Sequence, residues 1–67
     1  MSKYDLVGID GNAFYVIAYV IKAMKREGYT PEEIADYKKD AESGDYDNLL
    51  GVSFEMIEKV NEKVALV

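Results

Sequence analysis

Sixty-seven residues with no cysteine and no histidine make one small domain, residues 1–67, that can hold neither a disulfide nor a thiolate or imidazole zinc site. Eight basic residues against 13 acidic ones give a net charge of −5, which argues against direct nucleic-acid binding because a grip on the phosphate backbone needs clustered Lys and Arg. A chain this short buries only about 60% of its unfolded surface, so self-association as a dimer or more is the staple left to it.

Met1-Ser2-Lys3 runs into Tyr4 and Asp5 rather than into an apolar core and a small-residue cleavage site. The longest apolar run, Ala13 to Ile21, is nine residues, against about 20 for a membrane span. The expectation is a soluble, cytoplasmic chain with no membrane partner.

In chain order, "YDLVGI" at residues 4–9 alternates, with Tyr4, Leu6 and Gly8 on one face and Asp5, Val7 and Ile9 on the other. The residue types predict a short strand, weakened at Gly8. "NAFYVIAYVIKAMKREG" admits a hairpin after Asp10-Gly11, but its length and spacing favour a helix. Asn12 is its N-cap, Gly28 its stop, and Phe14, Ile17, Ala18, Ile21 and Met24 or Lys25 follow helical spacing as its apolar stripe. A second helix starts at a capping box, Thr30 with Glu33, around Pro31. Ile34, Tyr37, Lys38 and Ala41 form its stripe, and Gly44 ends it. A third helix is capped by Asp45 or Asp47, with Leu49, Val52, Met56 and Val60 on its stripe, widened by Leu50, Phe54 and Ile57. Gly51 falls in its interior, which is unfavourable unless something packs there. Residues 63–67 stay open between a continued helix and a strand beside residues 4–9. The predicted fold class is therefore mostly α: a short N-terminal strand, three helices, and a C-terminal segment able to pair with the first strand. A lone strand leaves its ladder groups unpaired, so those residues or another subunit must supply the partner.

Three features carry the functional reading. In "GIDGNA", Gly11 is expected at a positive backbone dihedral and Asn12 at the helix cap. The outward amides of Ala13, Phe14 and Tyr15 then make an anion cradle in principle, set against a plain capped turn. Neither a dinucleotide fingerprint nor a P-loop is present. In "SGDYDNL", Asp45 and Asp47 are spaced like the start of a calcium loop, but Leu49, Leu50 and Met56 occupy positions that such a loop needs for ligands or glycine. Helix capping is the better reading, and no metal or other cofactor is expected. Tyr15, Tyr19, Lys22 and Arg26 share a face of the first helix, an oligomer or partner seam against a half-buried core rim. Ser2, Ser43 and Ser53 have no visible activating base, so an enzyme is not expected.

"LVGIDGNAF" and "SGDYDNLL", about 30 residues apart, resemble the VG-x-DGNAF … SGDYD-x-LL pattern of a group of small bacterial and phage-borne proteins, over roughly residues 6 to 50. The resemblance implies a phage or mobile-element setting and no activity. On the matching positions it points to Gly8, Asp10, Gly11, Asn12, Asp45, Tyr46 and Asp47 as ligand- or partner-binding residues. The first helix departs from the pattern in its aromatic content, at Tyr15 and Tyr19. The expected function is a small acidic, non-enzymatic binding protein that inhibits a host defence or nucleic-acid-handling complex. The alternatives are an oligomeric binder or sponge for a nucleotide-type anion and a structural, self-associating accessory. Tight turns between three helices predict that the first and third begin side by side, which would place both motifs on one surface.

Overall fold

A computed structural model describes residues 3–65. It consists of an extended N-terminal segment and three helices: α1 (Ala13–Arg26), α2 (Pro31–Ala41) and α3 (Tyr46–Ala65). No strand is present among the described residues. The expected N-terminal strand and its sheet partner are therefore corrected. Residues 63–65 continue α3, while Leu66 and Val67 lie outside the described residues.

The physical reason is visible at Tyr4. Its N–H donates to Asn61 Oδ1 and its carbonyl accepts from Asn61 Nδ2, both at 3.0 Å. One side-chain carboxamide thus makes the pair of bonds that an antiparallel partner residue would make. The next amide, Asp5 N–H, donates to the Tyr19 hydroxyl at 2.9 Å. Three of the segment's backbone groups are thus bonded by side chains of α3 and α1, where a second strand would otherwise supply the partners. The alternation survives this change: Tyr4 and Leu6 are buried, while Asp5 and Val7 are exposed. A turn closed by Ile9 N–H on the Leu6 carbonyl ends the segment, with Gly8 in its third position at φ 89°.

Each helix has identifiable ends. Asn12 caps α1 through its side chain on the Phe14 amide at 2.9 Å. α1 stops in a Schellman motif, with Tyr29 N–H on the Met24 carbonyl, Gly28 N–H on the Lys25 carbonyl, and Gly28 at φ 84°. The capping box of α2 is formed in both directions, Thr30 N–H to Glu33 at 2.9 Å and Glu33 N–H to Thr30 at 3.1 Å. Asp45 accepts the Asn48 amide at 2.9 Å and so caps α3, while Asp47 lies inside its first turn.

The core lies where the three helices meet the N-terminal segment. α1 contributes Val16, Ile17, Val20, Ala23 and Met24, α2 contributes Tyr37 and Ala41, and α3 contributes Leu49, Ile57 and Val60. The α1 stripe is rotated from the expected one: Phe14 and Ala18 are exposed, and Ile21 is half-buried. Every position from 13 to 21 is apolar, so spacing alone does not fix which side turns inward. On α2, Lys38 is exposed and leaves the expected stripe. On α3 the unexpected core member is Ser53, fully buried, its hydroxyl 2.7 Å from that of Tyr37. Burial pushes the Tyr37 phenol above its ordinary range, although the Ser53 bond opposes that shift.

The Cα envelope measures 34 × 27 × 15 Å. Its short dimension corresponds to about two helix layers, since the Cα atoms of a helix lie about 2.3 Å from its axis and packed axes stand about 8–10 Å apart, so every helix keeps an outer face.

Replacing Asn61 with Ala would leave the Tyr4 N–H and carbonyl without partners beside the core. An unmade bond of this kind costs about 1–3 kcal/mol, and Asn61→Ala is expected to lower the denaturant midpoint accordingly. An unchanged midpoint would mean that the carboxamide does not hold the segment.

Candidate functional site

The two sequence motifs meet at one end of the molecule. The Tyr46 hydroxyl donates to the Gly11 carbonyl, so the start of α3 is tied to the turn that leads into α1. Around that bond, most motif residues are occupied in building the helix starts. Asp10 accepts the Asn12 amide at 2.8 Å, and Asn12 and Asp45 cap their helices. The α2–α3 connection is knitted onto one acceptor, the Asp40 carbonyl, which receives the Ser43 hydroxyl at 2.7 Å and Asn48 Nδ2 at 3.0 Å. A Cβ on Gly44 would meet the Asn48 side chain at 3.0 Å, so that glycine allows the close approach. Asp47 stays exposed.

Gly11 requires a correction. Positive φ among the described residues falls on Gly8 and Gly28, not on Gly11. Gly11 is instead hemmed by the Tyr46 hydroxyl, 3.4 Å from where its Cβ would stand. The strained position in "GIDGNA" is its first glycine, which closes the preceding turn.

Beside the motifs lies an open groove of about 320 Å³ between the start of α1, the end of α2 and the start of α3. Ala13, Ile17, Ala41 and Leu49 give it apolar lining, with Glu42 and Asp45 also among its walls. Phe14 is 81% exposed and Tyr46 43% exposed, and both line it. Sequence reasoning placed Phe14 in the core and did not single out Glu42. The available signal was the surplus of apolar positions around α1, more than one buried face can use.

The second predicted group, Tyr15, Tyr19, Lys22 and Arg26, lies on another side of α1. Tyr15 is 63% exposed, Lys22 and Arg26 are exposed, and Tyr19 is half-buried. Tyr19 packs edge-to-face on Tyr4, with centroids 6.4 Å apart at 81°. Tyr4, Tyr19, Lys22, Ala23 and Arg26 border a smaller hollow of about 220 Å³. Beyond it, the Tyr4 hydroxyl donates to Glu27 at 2.6 Å and Lys3 pairs with the same carboxylate at 2.9 Å. The Tyr4 bond first, and then the Lys3 bond, hold Glu27 below the usual carboxylate range.

No family model matches the sequence, and no curated protein or solved structure matches it.

Two outcomes follow from this geometry. Gly8→Ala forces a side chain into the left-handed region, at a cost of about 1–2 kcal/mol, whereas Gly11→Ala meets only an ordinary contact. Chemical denaturation should rank Gly8→Ala as the less stable variant, and the reverse order would contradict the assignment. Because the folded Glu27 carboxyl titrates below its unfolded value of about 4.3, its contribution is complete above that value and is lost as pH falls through the folded one. The stability gap between the native chain and Glu27→Gln should therefore close on acidification, and a gap that widened instead would contradict the reading.

Proposed function

We propose that this chain is a small acidic binding protein, not an enzyme, of phage or mobile-element type. It acts in the cytoplasm by occupying a host protein, a component of a defence or nucleic-acid-handling complex. The observation that carries the reading is Phe14, 81% exposed at the edge of an apolar groove. A phenylalanine held in water gains nothing for the chain by itself, and exposed aromatic side chains beside a recess are the usual anchors of protein contacts. Glu42 and Asp45 add negative charge to the groove, which favours a partner segment with an apolar side chain flanked by Lys or Arg. Proteins that handle nucleic acid carry such basic surfaces. The phage setting rests on the resemblance of the two motifs.

The other readings have less support. For a nucleotide-type anion, the α1 start is poorly suited: the Phe14 amide is taken by Asn12, and Asp10 and Asp45 stand at the same end of the molecule. For catalysis, the Ser43 hydroxyl is bonded to the Asp40 carbonyl, and that of Ser53 is buried against Tyr37. Among the described residues no helix is long and apolar enough to cross a membrane.

The test is capture from a bacterial lysate on immobilised native chain and on Phe14→Ala in parallel. Phe14 is so exposed that the substitution should alter stability by no more than about 0.5 kcal/mol. A specific protein retained by the native chain and lost from Phe14→Ala is the expected result. Equal retention by both, or retention by neither, would remove the groove from the function.

A further inference from the structure

α1 carries three cations, Lys22, Lys25 and Arg26, and no carboxylate. α2 and α3 each carry four acidic against two basic residues, so α1 is the one helix of positive sign. Two of its three exposed charges lie on a stripe with aromatic residues: Tyr15, Tyr19, Lys22 and Arg26 stand at i, i+4, i+7 and i+11. α3 presents the same spacing in the opposite sign, Asp47, Gly51, Phe54 and Glu58, all four exposed. Phe54 is 47% exposed, and a Cβ on Gly51 would find nothing within 4 Å. A glycine inside a helix is unfavourable relative to alanine, yet among the described residues no other element stands within 4 Å of where its Cβ would be. Among the described residues the one salt bridge is Lys3–Glu27, so none of them pairs with a charge of either stripe.

We propose that the α1 stripe of one copy docks on the α3 stripe of a second copy. Charge and spacing commit the occupant to this same chain, because one molecule carries both complementary halves. Either helix direction satisfies the match. Run parallel, Tyr19 faces Gly51, Lys22 lies over Phe54 and Arg26 meets Glu58. Run antiparallel, Tyr19 packs on Phe54, Lys22 crosses the bare Gly51 and Arg26 meets Asp47. Glycine lets the two backbones approach, and the aromatic residues exclude water from the charge pairs. Pairing α3 with α3 sets acid against acid in an antiparallel or a parallel register, and pairing α1 with α1 in parallel sets cation against cation. An antiparallel α1 pair sets Tyr15 on Arg26 and Tyr19 on Lys22 and, unlike the α1–α3 contact, would survive Asp47→Lys/Glu58→Lys. A two-fold pair makes the contact twice, α1 of each copy on α3 of the other, and any other arrangement is heterologous and builds a ring or an open chain of copies. It shares no residue with the groove that carries Phe14, so the two surfaces operate independently.

The experiment is sedimentation at low salt of the native chain, of Lys22→Glu/Arg26→Glu, of Asp47→Lys/Glu58→Lys, and of an equimolar mixture of the two variants, with circular dichroism confirming that each is helical. The native chain should sediment as a species larger than its 7.6 kDa, and its association should weaken as salt is raised. Each charge-reversed variant should lose association at least tenfold. The mixture should recover it, because each variant then offers the sign that the other needs. Gly51→Leu, which fills the bare position without changing charge, should also weaken association. A native chain that remains monomeric, association that survives either reversal, or a mixture of folded variants that does not reassociate would overturn the proposal.

Discussion

The architecture depends on one side chain doing the work of a strand. Asn61, in the last third of α3, presents a donor and an acceptor that close on both backbone groups of Tyr4. Tyr19 adds a third bond from α1, on the next amide. With these in place an extended segment lies between α1 and α3 without sheet partners and buries Tyr4 and Leu6. For a chain of 67 residues, two large apolar side chains are a substantial part of the core. The Tyr4 ring in turn supports Tyr19, and its hydroxyl reaches Glu27 just past the end of α1. The segment is thus pinned along α1 before the chain reaches Gly8.

At the opposite end of α1 the two motifs lock together through Tyr46 and Gly11. Asp10, Asn12, Asp45 and Asn48 act there as caps and turn braces, and each has its bond within the chain. Their pattern is explained by folding before any ligand is considered. What the folding does not explain is the exposed apolar surface around them: Phe14 at the groove, Tyr15 on the α1 stripe, and Phe54 beside Gly51. These positions satisfy no requirement of the isolated chain. The proposed partner groove and the proposed contact between copies account for them separately.

The helices were legible because their ends are written in local chemistry. Asn12, Thr30 with Glu33, and Gly28 each act within one turn of their own position, so sequence spacing captures the physics. The strand expectation failed because alternation reports burial on one side, not the identity of the hydrogen-bonding partner. Tyr4 and Leu6 do face inward, but the partner is a side chain 57 residues away. The inner stripe of α1 was misplaced for a related reason. A run apolar on nearly all sides has no polar face to orient it, and its rotation is set by packing against α3 and the N-terminal segment. Gly11 was assigned a positive φ because turns before helices often need one; the turn here closes a step earlier, at Gly8. The meeting of the two motifs was legible, since tight connections return alternate helix starts to the same end.

The central claim is that Asn61 replaces a strand partner for Tyr4, and amide hydrogen exchange measured by NMR tests it at the atoms concerned. The Tyr4 backbone amide and the Asn61 carboxamide protons should be protected together, with the Tyr4 amide as slow as buried α3 amides such as that of Val60 and far slower than those in the 7–9 turn. Exchange of both at the rate of an unstructured peptide, while α3 stays protected, would show that the segment is not held by this bond and would contradict the account.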